Sequence, residues 1–173
     1  MTKVGILYID IEGGWGGSSR SLFYLIKHLN KDIYDPLVIC GRGGPIIGRY
    51  KSDGIEPIVF YPIPRTTAAQ KKNLRSLARF TIQSRHFPKL FSVIRNLIRK
   101  HKVKIIHLNH ESLFGLGILC RLFTHCKIVY HVRTMLPLNL WGILQIIICK
   151  LTAHFLVFIT ENEKELWEVG YHD

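Results

Sequence analysis

Six short apolar runs alternate with longer stretches of helical spacing, and this alternation restricts the possible folds more than any other feature of the chain. The runs cover residues 3–10, 36–40, 55–61, 103–108, 127–132 and 154–159. Each is of strand length and is closed by glycine, proline or a polar turn. Between the first two, Leu22, Leu25, Ile26 and Leu29 fall on one helical face, with Ser18 or Ser19 as the expected cap. Residues 45–52 form a short helix. Residues 73–100 read as helix broken at Pro88, which fits the first turn of a second helix. Ser112 is the expected cap of the next helix, residues 138–151 form an apolar one, and Thr160 to Glu163 has the capping-box form for the last. Strand-helix alternation of this kind predicts a Rossmann-like, doubly wound parallel sheet in three α/β/α layers, folded as one domain over residues 1–173.

In such sheets ligands bind beyond the carboxyl ends of the strands. That rule selects Gly13 to Ser18, Gly41 to Gly44, Asn109-His110-Glu111, His131 to Thr134, and Thr160-Glu161. The first is the sharpest, because a glycine turn opening a helix lets backbone N–H groups approach an anion. It lacks the lysine of a phosphate-binding loop, and Ser19 stands where a dinucleotide fingerprint has its last glycine. Arg42 after the second strand keeps open an NADP-type binding domain, in which it meets a 2′-phosphate. His131, beside Arg133 at a strand end, is expected at the cleft mouth. His110 and Glu111 are expected to diverge on their turn and not to act as a dyad. The histidines are dispersed, so no metal site is expected, and no GxSxG elbow is present.

The net charge of +12 is concentrated. Between Glu56 and Glu111 there are twelve lysines and arginines and no acid, whereas the other twelve basic residues balance the twelve acids of the chain. Such a segment favours an anionic partner. With interleaved aromatics and no nucleic-acid motif, the expected partner is an anionic membrane surface bound through Lys71, Lys72, Arg75 and Arg79. A basic interaction module without catalysis is the corresponding alternative. The run around residues 134–160 is interrupted by Pro137, Asn139, Gln145 and Thr152 and is read as a core helix and strand, not a membrane span. Cys40, Cys120, Cys126 and Cys149 lie in or beside apolar runs without a CxxC pair, which predicts buried reduced thiols. No signal peptide is read at the start, so the expected location is cytoplasmic, at most peripheral to the inner face of the membrane.

In order and spacing, four segments resemble one family. They are Gly16-Gly17-Ser18-Ser19-Arg20-Ser21-Leu22, Lys104 to His110, Ile128 to His131, and Phe158 to Glu161. Together they are similar to the N-terminal domain of the family-four glycosyltransferases, retaining enzymes of the GT-B fold. The resemblance implies a nucleotide-sugar donor, a glycan or lipid-linked acceptor and no cofactor or metal. It places Gly16 and Gly17 near donor phosphates and acceptor, and His131 in the cleft as the catalytic candidate. Ser18, Asn109, His110, Glu111, Arg133, Thr160 and Glu161 are the expected donor- or acceptor-binding positions. It further implies that the donor-binding domain lies outside this chain, which is therefore inactive alone. Trp15 in the turn and Arg133, where many members carry an acid, depart from the pattern.

Overall fold

A computed structural model describes residues 3–66 and 74–169. Six parallel strands run β1 (Val4–Asp10), β2 (Tyr34–Cys40), β3 (Ile58–Val59), β4 (Val103–Leu108), β5 (Lys127–His131) and β6 (Phe155–Val157). Their order across the sheet is β3-β2-β1-β4-β5-β6. The chain first adds strands to one side of β1, then crosses to the other side with β4. Right-handed crossovers taken in opposite directions put their helices on opposite faces. The point of reversal is the β1/β4 junction.

β1 shows the resulting division residue by residue. Ile6 and Tyr8 face one layer, with Leu22, Phe23 and Ile26 of α1 (Gly17–Lys27) and Ile46 and Tyr50 of α2 (Pro45–Ser52). Leu7 and Ile9 face the other, where Leu90 and Ile94 of α4 (Phe87–His101) meet Leu116 and Cys120 of α5 (Phe114–Phe123). Ile146 and Cys149 of α6 (Leu140–Thr152) and Trp167 of α7 (Glu161–Val169) complete that core. Strand alternation of period two therefore feeds two apolar layers. The expected fold is the observed one.

Local expectations hold unevenly. Pro88 does lie in the first turn of α4, after the separate helix α3 (Leu74–Ser84). Thr160 and Glu163 do form a reciprocal cap, the Thr160 N–H donating to Glu163 Oε2 at 2.8 Å and the Glu163 N–H to Thr160 Oγ1 at 3.5 Å. Ser18 and Ser19, by contrast, are not caps: Gly16 holds that position in an extended conformation, and both serines fall in the first helical turn. Ser112 is not a cap either. His110 caps a 3-10 turn over Glu111–Leu113, its Nδ1 accepting from the Ser112 N–H at 3.1 Å. The third strand shrinks to two residues because Pro57 brings no N–H to the ladder at this sheet edge. Leu25 is 43% exposed and Phe23 takes its expected place in the core. All four cysteines are free and buried. Among the described residues no helix is long and apolar enough to cross a membrane.

Candidate functional site

β1, β4 and β5 end side by side, and the first turn of α1 starts next to them. This arrangement gathers polar side chains from four segments. Asp10, the last residue of β1, is fully buried. Its Oδ1 accepts from Asn109 Nδ2 at 3.2 Å, and Ser19 of the first helical turn is buried nearby and favours the charged carboxylate. Burial raises its pKa, against the lowering effect of these neighbours. Asn109 Nδ2 also donates to Ser18 Oγ at 3.2 Å. Asn109 is fully buried and joins β1, β4 and α1 to one another, whereas Ser18 stays partly exposed beside the Gly16-Gly17 helix start.

Arg133 lies over this junction. Its Nη1 donates to Ser21 Oγ at 3.2 Å, and its Nη2 to Asn109 Oδ1 at 2.6 Å and to His131 Nδ1 at 3.0 Å. Burial lowers its pKa and the carboxylates of Asp10 and Glu111 oppose that, yet a guanidinium keeps its charge in proteins. Three buried atoms here have no hydrogen-bond partner among the described residues, Asp10 Oδ2, His107 Nε2 and Arg133 Nε. The cluster thus retains unused polar capacity.

His131 ends β5 but is only 7% exposed, not open at a cleft mouth as expected. The His107 ring lies 5.6 Å away and Arg133 covers Nδ1. Burial first, then the Arg133 charge, push the His131 pKa down to about 4, so the ring is neutral at pH 7. Because Nδ1 accepts from a donor that cannot lose its proton, the imidazole proton sits on Nε2. His107 is held at about 3 by burial and by the His131 and Arg133 charges.

His110 and Glu111 do not diverge: His110 Nδ1 lies 3.3 Å from Glu111 Oε1. No dyad results, because Nδ1 already accepts from the Ser112 N–H. Burial lowers the His110 pKa and keeps the ring neutral. Glu111 is fully buried and takes the Arg133 N–H at 2.9 Å and the Thr134 hydroxyl. It fixes the β5 turn against the β4 turn.

At the glycine turn the steric demand falls on other glycines than expected. A Cβ on Gly16 or Gly17 meets nothing within 4 Å. A Cβ on Gly13 would stand 2.0 Å from the Arg42 carbonyl oxygen, and one on Gly44 would stand 2.2 Å from that of Gly13. The turns after β1 and β2 therefore cross backbone on backbone, and the open helix start at Gly16-Gly17 stays clear. Trp15 folds back toward α1, edge-on to Phe23 at 5.7 Å, with the Arg49 guanidinium 3.9 Å over its ring.

Beside the polar cluster a cleft of about 390 Å³ opens between the turns after β1, β2 and β4. Glu12, Arg42, Tyr61, Arg65, His110 and Thr134 contribute to its walls. Thr160 and Glu161 are not among the residues lining this cleft: both are exposed at the start of α7, where Glu161 pairs with Lys164 at 3.1 Å. Lys71 and Lys72 lie outside the described residues; Arg75 and Arg79 lie on α3, with side chains outside the description. Among the described residues no group of three or more His, Cys, Asp or Glu converges as metal ligands do. Nothing in the sequence marks Ser21, His107, Arg65 or Thr134 as an individual site residue, and Asp10 carries only one usable signal, an acid closing an otherwise apolar strand.

The family model of Glycosyltransferase Family 4 matches residues 15–171. No curated protein sequence matches the chain. Among solved structures, Anabaena HepE in complex with UDP-glucose is 17% identical with a TM-score of 0.67, matching 98% of this chain and 41% of its own. A Rickettsia africae glycosyltransferase is 19% identical with a TM-score of 0.58, over 95% of this chain and 39% of its own. Acinetobacter baumannii MurG is 14% identical with a TM-score of 0.55, over 90% and 41%. At these identities the likeness is one of fold. This chain spans about two fifths of the length of these structures.

Proposed function

Because the chain belongs to Glycosyltransferase Family 4, we propose that it forms the acceptor side of a two-domain active site that moves a sugar from a nucleotide donor to a glycan or lipid-linked acceptor. The observation that carries this reading is the neutral, Arg133-oriented His131 in the polar cluster beside the 390 Å³ cleft. A neutral imidazole with its proton on Nε2 can donate to a sugar hydroxyl and gains no competing charge near pH 7. Arg133 fixes the tautomer and brings positive charge toward the open helix start at Gly16-Gly17, where a donor phosphate is stabilised by backbone N–H groups. Transfer proceeds with retention and without a metal or cofactor, and the donor is held mainly by a second domain. UDP-glucose bound to the structurally similar HepE supports a nucleotide-sugar donor.

The basic α3–α4 segment serves a second role in this reading. Lys89, Arg95, Arg99 and Lys100 are exposed on α4, and none has an ion-pair partner among the described residues. They and the α3 bases place the domain on the anionic inner face of the membrane, where a lipid-linked acceptor is presented. The test of the main reading is sugar transfer by the complete protein, with the 173-residue chain as control. Transfer by the complete protein, lost in the chain alone, is expected. Full turnover by the chain alone, or no transfer by the complete protein with any nucleotide sugar, rejects it.

A further inference from the structure

The charge of the cleft says something about the acceptor that family membership does not. Among the described residues lining the 390 Å³ space are two arginines, Arg42 and Arg65, and one acid, Glu12, so these walls carry a net positive charge. Arg65 is tethered: its Nη1 and Nη2 both lie 3.3 Å from Glu12 Oε1, which fixes the fork but leaves part of its donor set free. Arg42 is positioned without neutralisation. Its guanidinium lies 5.5 Å from the Tyr61 ring centroid, and it has no acid in ion-pair reach among the described residues. An aromatic face holds a cation in place yet leaves its N–H groups available. Ser112 also lines the cleft, and its buried hydroxyl has no hydrogen-bond partner among the described residues. Neutral sugars do not require such an arrangement, whereas carboxylates and phosphates match a planar guanidinium.

The geometry points to an acceptor whose terminal unit carries an anionic group, a carboxylate or a phosphate, held between Arg42 and Arg65 with the sugar hydroxyls toward His110 and Thr134. This rests on the acceptor-side reading above and adds the charge class of the substrate. The cleft volume lies at the small end of the range for ligand pockets, which suits one or two sugar units and not a long chain.

The test is titration of the chain with glucose, glucose 6-phosphate, glucuronate and inorganic phosphate, followed through the amide signals of Gly41, Gly44 and His110. At least one anionic sugar should bind about tenfold or more tightly than glucose, since charge-assisted contacts of this kind are worth at least that factor. Arg42→Gln and Arg65→Gln should each reduce that preference, and Glu12→Gln, which removes the one acid among the described lining residues, should increase it. Preference for the phosphate or for the uronate tells which anion the site takes. Equal binding of all sugars, no binding of either anion, or a preference that survives both arginine substitutions overturns the inference. Inorganic phosphate bound as tightly as the anionic sugars shows an ion site only and overturns it too. Transfer by the complete protein to a neutral acceptor in preference to its anionic counterpart rejects this inference and leaves the transferase reading in place.

Discussion

Arg133 Nη2 donates to His131 Nδ1 at 3.0 Å, two residues back along the chain, and so decides which nitrogen of the imidazole carries its proton. The same contact is the second cause, after burial, of the depressed His131 pKa of about 4. Replacing Arg133 with methionine should therefore raise the His131 pKa toward the ordinary histidine value, without reaching it because burial remains. Imidazole signals followed by NMR across pH 3 to 8 read this directly. An unchanged titration would show that the guanidinium does not govern the ring. The substitution should also cost about 2 kcal/mol of stability, because Asn109 Oδ1 loses a charged donor in a buried place.

His131→Ala in the complete protein should lower transfer by about 100-fold or more, the usual scale for a positioned proton donor. Burial of this side chain changes the expectation for stability. A cleft-mouth residue would be neutral to remove, but one 7% exposed and bonded to Arg133 should cost about 1–2 kcal/mol in denaturant unfolding. Normal turnover in a destabilised variant would make His131 a purely structural residue.

Acid should destabilise the domain through its buried histidines. The folded-state pKa values of His131 and His107, about 4 and about 3, lie below the unfolded value near 6.5. The unfolded chain binds more protons in this interval, so stability is complete above about pH 6.5 and falls as the pH drops toward the folded values. The loss is on the order of 2 kcal/mol per histidine by pH 4. Asp10, whose pKa burial raises, works in the opposite sense at the acid end, because the folded state there takes up its proton first. Unfolding free energy measured at pH 4, 5, 6 and 7 should rise with pH, with a shallower slope in His107→Asn. A flat profile would contradict the buried, neutral pair.

The alternation of strands and helices along the chain and the apolar layers on both sheet faces are legible because period-two and helical apolar spacing are local signals, as at Ile6–Leu7–Tyr8–Ile9 and Leu90–Ile94. The polar strand ends were legible as a place, by the rule of the carboxyl edge, but not as a division of roles. The structural bonds of Asn109 and Glu111 are not legible in sequence, since nothing local tells that Arg133 and Thr134 arrive from more than twenty positions away to bond them. Arg65 entered the cleft unnoticed for the same reason: its partner Glu12 is 53 residues distant. The cap at Ser18 fails because Gly16 takes that position and Ser18 falls in the first helical turn, its hydroxyl accepting from the distant Asn109.

Glycine substitutions separate packing from ligand approach. Gly13→Ala and Gly44→Ala should destabilise the domain by about 2 kcal/mol or more, since each Cβ would collide with a backbone carbonyl. Gly17→Ala has free space and a helical position, so it should leave stability unchanged or raise it by about 0.5 kcal/mol. A drop in transfer with Gly17→Ala at unchanged thermal midpoint would mark the helix start as the place where the donor meets backbone. Equal stability losses at all three positions would contradict the crossing of the two turns.

Replacing Lys71, Lys72, Arg75 and Arg79 with glutamine should release the protein from anionic vesicles while its circular dichroism stays the same. Each basic side chain near such a surface contributes about 1 kcal/mol, so loss of four should be evident in co-sedimentation at low salt. Raising the salt should mimic the substitution, because exposed charges are screened beyond roughly a Debye length. Equal binding of wild type to neutral vesicles would make these charges an ordinary solvated face.

The bond from Asn109 to Asp10 joins residues 99 positions apart, and that from Arg133 to Ser21 joins residues 112 apart. Contacts of such separation close late, since a long loop must lose its freedom before they form. Helices α1 and α2 with their strands can assemble from nearby residues, but the polar cluster cannot exist until β4 has inserted beside β1 and the turn after β5 has followed. During synthesis the chain therefore has no partial version of this site: a ribosome that has delivered everything up to β4 has released a half-sheet with Asp10 still waiting for its partner.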